Sequence, residues 1–288
     1  KVCGVDPAQL PAKIAMEKNI FTINSFFNKE TSNKITSKFG QADLITSQNV
    51  LAHVDNLRDT FNNIYRLLKK QGFFVFEIGY FRSVLEQGCF DTIYHEHLDY
   101  HHGAPLVKYL TTIGFDVLNL EVNAIQGGSL RLLLKKTGKG NISKQAQNFL
   151  ANEKMSVLHD KKYLNKWSEK ISNICKSLED VTKNLLKKNT LFYAYGSPTK
   201  ATLLLNMNGY LEENIRFVVE DNKNKVGKFL PKNGLPIRDL NELDFKKTAV
   251  IIILAWNFSE DIIRKLKKLY KVKVKVIIPL PELKVLEI

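Results

Sequence analysis

Cysteine is scarce: the 288 residues hold three, Cys3, Cys89 and Cys175. They lie far apart and match no CxxC or other zinc-ligand spacing, which argues against a cysteine-built metal centre within this chain. Cys3 and Cys89 lie in or beside apolar runs, and Cys175 sits on a helical pattern, as expected of reduced, buried thiols in a cytoplasmic protein. No apolar run approaches the roughly 20 residues that a membrane span needs. No charged-then-apolar leader opens the chain. The GxxxxGK[ST] loop is missing, as is GxGxxG, so neither a P-loop nor a dinucleotide fingerprint is present. HExxH is absent, and so are RNP-like aromatics, zinc fingers and RGG tracts. The chain opens on Lys1, not Met, inside what reads as a strand. Further residues are therefore expected upstream.

What remains has an ordinary globular composition, with 44% apolar and 25% charged residues, and a length that suits about two domains. The formal net charge is +14, which favours anionic partners. Most of that charge is lysine spread along the chain. The pairs Lys69-Lys70, Lys161-Lys162, Lys187-Lys188 and Lys267-Lys268 mostly read as solvated faces. Several fall in the last turn of an expected helix, where cations suit the helix dipole.

The first half alternates strand and helix. Strands are read at Val2–Val5, Ile20–Phe27, Ala42–Ser47 (a short buried run) and Phe73–Ile78. A helix runs from Ala8 to Lys18. In another, expected to be capped by Asp55, Leu57, Phe61, Ile64, Tyr65 and Leu68 share one face, and Lys69-Lys70 and Gly72 mark its end. A helix through Leu106, Val107, Leu110 and Ile113 stops at Gly114. Two runs follow without a helix between them, Phe115–Val122 and Leu130–Lys136, separated by Gln126-Gly127-Gly128. Such neighbours usually pair antiparallel. Residues 143–188 read as helical, with Leu164, Trp167, Ile171, Ile174, Leu178, Val181 and Leu185 as one stripe. That stripe fits a long helix packing across two domains, or a coiled-coil seam. Alternation restarts with strands at Leu191–Tyr195, Ile215–Glu220, Ala249–Trp256 and Val272–Ile278, and helices at Pro198–Asn206 and Ser259–Tyr270. The expected class is α/β, with a first domain over 1–140, a helical connector over 141–189 and a second Rossmann-like domain over 190–288.

The segment Phe90-Asp91-Thr92-Ile93-Tyr94-His95-Glu96-His97-Leu98-Asp99-Tyr100-His101-His102 is the least ordinary, with four of the six histidines. It reads as too polar for a core element. Imidazole beside carboxylate and phenol suits general acid–base work. A metal site and functionless surface histidines are the alternatives. Asn49-Val50-Leu51-Ala52-His53 follows a strand. In a doubly wound fold that end faces the ligand crevice; the plain alternative is a turn before a helix. Asp6 ends the first strand. It suits either the two hydroxyls of a ribose or the cap of the next helix. Tyr195-Gly196-Ser197-Pro198-Thr199-Lys200 joins strand to helix. It offers either an anion site or a tight turn with Pro at the first helical position.

Together these stretches resemble the sugar C-methyltransferase family of deoxysugar biosynthesis. Gly127-Gly128-Ser129-Leu130-Arg131, Asp221-Asn222-Lys223-Asn224-Lys225-Val226-Gly227-Lys228, Leu254-Ala255-Trp256-Asn257-Phe258 and Pro279-Leu280-Pro281 add to the match. The resemblance implies a class I S-adenosylmethionine (SAM) methyltransferase domain, incomplete at its N-terminus, followed by a second Rossmann-like domain. It also implies an upstream zinc module with cysteine ligands, which this chain lacks together with the first cofactor strand and its glycine-rich loop. The implied reaction is SAM-dependent C-methylation of a dTDP-linked 4-keto-deoxysugar. His97 would be the base, with Tyr94, Glu96 and His53 around it. Asp6, Ser47 and Asn49 would meet the cofactor, and Arg131, Tyr195, Lys200 and Lys225 the nucleotide-sugar. No metal is expected on this chain, and a monomer acting on neither nucleic acid nor membrane is expected. A SAM-dependent O- or N-methyltransferase and a non-enzymatic anion- or RNA-binding module are the rival readings.

Overall fold

The computed structural model describes residues 1–154, 160–186, 190–232 and 234–288, with only the backbone of Gln126. The Lys187-Lys188 pair and part of the expected 143–188 helical stretch lie outside these residues. The chain divides into two compact units. One is Lys1–Arg82 with Glu96–Ser156, the other Ser83–His95 with Val157–Ile288. The histidine-rich motif therefore passes from one unit to the other between His95 and Glu96.

The first unit opens with strand β1 (Cys3–Val5), helix α1 (Gln9–Glu17) and strand β2 (Phe21–Ile23). β1 and β2 pair in parallel as a sheet of their own. The strand read over Ile20–Phe27 is shorter than expected, because Ser25 turns back on Asp6 and Ile23 through its N–H. Helix α2 (Lys29–Phe39), which the periodicity did not disclose, starts where Asn28 accepts the Thr31 N–H. Strand β3 (Ala42–Gln48), helix α3 (Leu57–Leu67), strand β4 (Leu68–Gly79), helix α5 (Gly103–Ile113), strands β5 (Phe115–Asn123) and β6 (Ser129–Lys136), and helix α6 (Lys144–Lys154) complete the unit; the intervening helix α4 (Phe81–Gln87) belongs mostly to the other.

The four-stranded sheet runs β3-β4-β6-β5. β3 and β4 are parallel, and β4–β6 and β6–β5 antiparallel. The antiparallel finish follows the sequence reading. Three details differ. Asn56, not Asp55, caps α3 by accepting the Asp59 N–H. Lys69, Lys70 and Gly72 follow the end of α3 as expected, but they already lie within β4, where Ala42 pairs with Leu68. β3 is a strand but not a buried one. It has one neighbour, β4, among the described residues, and Leu44 is 56% exposed. The core is aromatic: Phe61, Phe74, Phe76 and Phe115 are all fully buried, and each contributes about 1.5–3 kcal/mol by leaving water. α5 ends at Gly114, whose φ of +103° a side chain would strain, and where an added Cβ would come within 2.8 Å of the Tyr65 hydroxyl.

The second unit carries helix α7 (Lys161–Leu185), strand β7 (Leu191–Tyr195), helices α8 (Ala201–Asn206) and α9 (Gly209–Asn214), strands β8 (Val218–Val219), β9 (Ile237–Arg238) and β10 (Ala249–Ile253), helix α10 (Ser259–Leu269), and strands β11 (Lys275–Ile278) and β12 (Lys284–Glu287). Its sheet runs β12-β11-β10-β7-β8-β9, parallel except for β12. β10 is buried along its whole length, as its apolar run Ala249-Val-Ile-Ile-Ile253 requires. Trp167, Ile171, Ile174 and Cys175 of α7 pack on this core. Lys161 and Lys162 open α7 and do not close a helix, so the dipole argument fails for that pair. The chain leaves β7 toward β8 and later returns to its other side as β10. The switch point of the sheet therefore lies between the carboxyl ends of β7 and β10.

Candidate active site

At the carboxyl end of β3 the backbone turns sharply. Asn49 takes φ = +52°, and its N–H donates to the Glu77 carbonyl of β4 at 2.9 Å. Asparagine tolerates this left-handed conformation better than most residues. A single turn of 3-10 helix, Leu51–His53, follows, with Leu51 and Ala52 buried and His53 exposed at its end. The Ala52 carbonyl accepts the Leu98 N–H at 2.8 Å, which ties the histidine-rich segment to this turn.

The consequence is a histidine pair. The rings of His53 and His97 lie 4.9 Å apart between centroids, tilted at 52°. His53 Nδ1 is 2.7 Å from the Glu96 carbonyl oxygen. His97 is half-buried and meets Tyr100 edge-on at 6.3 Å. Tyr94 and His95, whose rings lie 6.2 Å apart, fall in the other unit. The structure thus brings His53, Glu96 and His97 together at the carboxyl end of the first unit's sheet.

The far end of the segment is pinned by a residue that the sequence did not disclose. Glu153, 4% exposed at the end of α6, accepts the Gly103 and Ala104 N–H groups at 2.6 Å each and the Tyr80 hydroxyl at 2.8 Å. His102 Nδ1 faces it at 3.8 Å. Burial raises the Glu153 carboxyl, but these donors and His102 outweigh it and hold the group below its ordinary value.

The other expected site residues are placed as follows. Asp6 does not cap α1, whose N-cap is Ala8 with no side-chain cap bond; its Oδ1 accepts the Ala8 N–H at 2.8 Å in the turn before the helix, while Oδ2 accepts no hydrogen bond among the described residues. Ser47 is half-buried on β3, opposite Phe76 of β4. Arg131 is committed to the sheet: its guanidinium grips Glu77 through Nε and Nη2 at 2.9 and 2.6 Å and Glu121 through Nη1 at 2.9 Å.

In the second unit, Tyr195 donates its hydroxyl to Asp221 at 3.0 Å. Lys225 donates to the Ser197 carbonyl at 2.9 Å. The Ser197 N–H, expected to greet an anion, donates instead to Glu220 at 2.9 Å, and the Ser197 hydroxyl does so at 2.6 Å. The protein's own carboxylate fills that position. Lys200 turns inward. Its ammonium lies 3.7 Å above the Trp256 ring, 3.0 Å from Asn257 Oδ1 and 3.6 Å from Asp91 Oδ2. Asp91, within a segment read as too polar for a core element, is 1% exposed. The neighbouring Cys89 thiol is pushed up to about 12, first by burial and then by the Asp91 charge, so it is no nucleophile at neutral pH. Among the described residues no group of three His, Cys, Asp or Glu could hold a metal ion.

The comparisons with known proteins agree with this architecture. A family model described as a methyltransferase domain matches residues 1–120. With its parallel strands and antiparallel finish, the first unit has the class I Rossmann-like fold of SAM-dependent methyltransferases, and the protein is an enzyme of that class. A second family model, described as the C-methyltransferase C-terminal domain, matches residues 124–281, more than half of the chain. The chain belongs to that C-methyltransferase family. It is 26% identical over 287 residues to C-methyltransferase NovU of Streptomyces niveus, covering 99% of this chain and 68% of the relative. Among solved structures it is similar to the N-methyltransferase NodS from Bradyrhizobium japonicum, at 13% identity and a TM-score of 0.34, covering 48% of this chain and 74% of that one. It is also similar to magnesium protoporphyrin IX methyltransferase from Synechocystis with bound S-adenosylhomocysteine, at 13% identity and a TM-score of 0.35, covering 47% of this chain and 64% of that one.

Proposed function

We propose that the chain serves C-methylation of a nucleotide-linked 4-keto-deoxysugar, with His97 as the base. The C-methyltransferase family makes carbon the acceptor. An unactivated carbon cannot attack a methyl group, so its proton must be acidified and removed. A ketone does the first, because the resulting carbanion delocalises as an enolate; a placed imidazole does the second. The observation that carries the reading is the half-buried His97 ring 4.9 Å from His53, at the carboxyl end of β3.

SAM supplies an electrophilic methyl group on a sulfonium. The residues present fit it: Asp6 offers an unused carboxylate oxygen to a ribose hydroxyl, and the Ser47 and half-buried Asn49 side chains hold no hydrogen bond among the described residues. His97 takes the proton from the carbon beside the ketone. Tyr94 and Glu96 orient the sugar, and a donor facing the ketone oxygen stabilises the developing enolate. Tyr195, the buried last residue of β7, and Lys225, on the loop after β8, lie at the carboxyl ends of their strands, where a doubly wound sheet takes its ligands, and they are the groups of the second unit proposed to meet the nucleotide.

The test is full-length protein with SAM and a dTDP-4-keto-6-deoxysugar in deuterated water. Loss of hydrogen from a sugar carbon, dependent on His97, is expected. Turnover of His97→Ala within about threefold of wild type would remove the base, since general-base catalysis contributes roughly 10²–10⁴. Methylation without any C–H exchange or cleavage would point to the oxygen or nitrogen route.

A further inference from the structure

Three of the stretches that carry the family resemblance deliver their polar side chains to one buried place in the second unit. Asp91 comes from the Phe90–His97 motif, Lys200 from the Tyr195–Lys200 loop, and Trp256 and Asn257 from the Leu254–Phe258 loop. Trp256 donates its indole N–H to Asp91 Oδ2 at 2.6 Å. Lys200 balances the carboxylate at 3.6 Å, lies over the Trp256 ring at 3.7 Å and donates to Asn257 Oδ1 at 3.0 Å.

The two loops follow β7 and β10, so they flank the switch point of the sheet. They are in close contact: a Cβ on Gly196 would come within 2.4 Å of the Ala255 Cβ. In doubly wound sheets this crevice receives a ligand. Here a carboxylate from a distant part of the same chain occupies it.

The cluster is poorly designed for stability alone. Asp91 Oδ1 is buried with no hydrogen-bond partner. A buried ion pair with an unsatisfied oxygen is usually no more stable than an apolar replacement. Such a cluster has a better rationale as a device that specifies position, and Asp91 begins the segment that leads within three residues to Tyr94.

We propose that Asp91 is a positioning residue: the second unit uses its switch-point crevice to grip the Asp91 carboxylate through Trp256 and Lys200, and so sets the loop that presents Tyr94. The catalytic half of this inference rests on the proposed function above. The structural half does not. Lys200 is thereby assigned to the loop and not to the diphosphate.

The experiment uses the full-length protein and its Asp91→Ala and Trp256→Phe variants. Backbone hydrogen exchange is followed by mass spectrometry, with His97→Ala run alongside. Both variants are expected to speed exchange of residues 90–95 by about tenfold or more while the rest of the second unit keeps its protection. They are expected to lower kcat by about tenfold or more, with the Kd for S-adenosylhomocysteine within about twofold of wild type. Should Asp91→Ala fail to fold, Asp91→Asn with Lys200→Met, which removes both charges together, replaces it. Unchanged exchange in 90–95 overturns the grip. Faster exchange with kcat per folded molecule unaltered overturns the positioning role. If His97→Ala stays active, the base assignment falls, and the exchange result still decides whether Asp91 holds the loop.

Discussion

His53 is fastened to the backbone of Glu96: its Nδ1 lies 2.7 Å from that carbonyl oxygen. A carbonyl only accepts, so Nδ1 carries a proton, and Nε2 is the nitrogen left to exchange one. One side chain thus fixes the course of the loop just before His97 and keeps that nitrogen available beside it. Asparagine at 53 retains a donor near the Nδ1 position and loses Nε2. Alanine loses both. His53→Ala is expected to lower kcat by about a hundredfold and His53→Asn by about tenfold, measured at saturating substrate. Equal losses would show that the tie to Glu96 contributes nothing.

Glu153 should govern the acid limit of the first unit. Its folded carboxyl titrates below the ordinary value of 4.5 because the Gly103 and Ala104 N–H groups, Tyr80 and His102 outweigh the effect of burial. A carboxyl lowered on folding stabilises the fold above its unfolded pKa, and that contribution disappears as pH falls through the folded value. Unfolding by urea should therefore become easier below pH 4.5 in wild type, and less steeply so in Glu153→Gln. At neutral pH Glu153→Ala leaves two N–H groups and the proton of the Tyr80 hydroxyl without their acceptor, a loss of about 3 kcal/mol. A midpoint within error of wild type would sink this account.

Arg131 separates a structural from a substrate role cleanly. In the sheet register it stands opposite Glu77 on one side and Glu121 on the other, and it holds both. Arg131→Gln should lower the Tm while leaving KM for the nucleotide-sugar within about twofold. A rise of tenfold or more in KM at unchanged Tm would return the residue to the substrate.

These placements show what the residues disclosed alone. Strand and helix types were legible wherever apolar spacing was regular, as in α3, α5, β6 and β10, because period and burial coincide there. Caps and ends were less so: Asn56 stands next to Asp55, and both are good caps, so only backbone geometry chooses between them. β3 read as buried because Ala-Asp-Leu-Ile-Thr-Ser is apolar enough, yet its burial depends on neighbours that spacing does not specify. His53 was expected at the crevice because residues after a β-strand face it, whereas its association with His97 came only with the family resemblance. The partners of Lys200, Arg131 and Ser197 were not legible, because Asp91, Glu77 and Glu220 are brought to them by topology. Glu153 gave no signal at all: one glutamate at the end of a polar helix resembles any other.

Gly196 is the position where the smallest change should be most costly. Its φ is +88°, and an added Cβ would lie 2.4 Å from the Ala255 Cβ and 3.1 Å from the Ala255 nitrogen. That nitrogen already donates to the Tyr195 carbonyl at 3.2 Å, so the two loops cannot part without losing the bond. Gly196→Ala combines left-handed strain of about 1–2 kcal/mol with overpacking of about 1–3 kcal/mol. A total near 2–5 kcal/mol is expected in urea unfolding of the second unit. Because the loops also carry Lys200 and Trp256, the same substitution should alter Trp256 fluorescence. Trp167, on α7, supplies the unchanged reference. A variant with wild-type stability and an unaltered Trp256 signal would mean that the two loops are not packed as closely as this geometry requires.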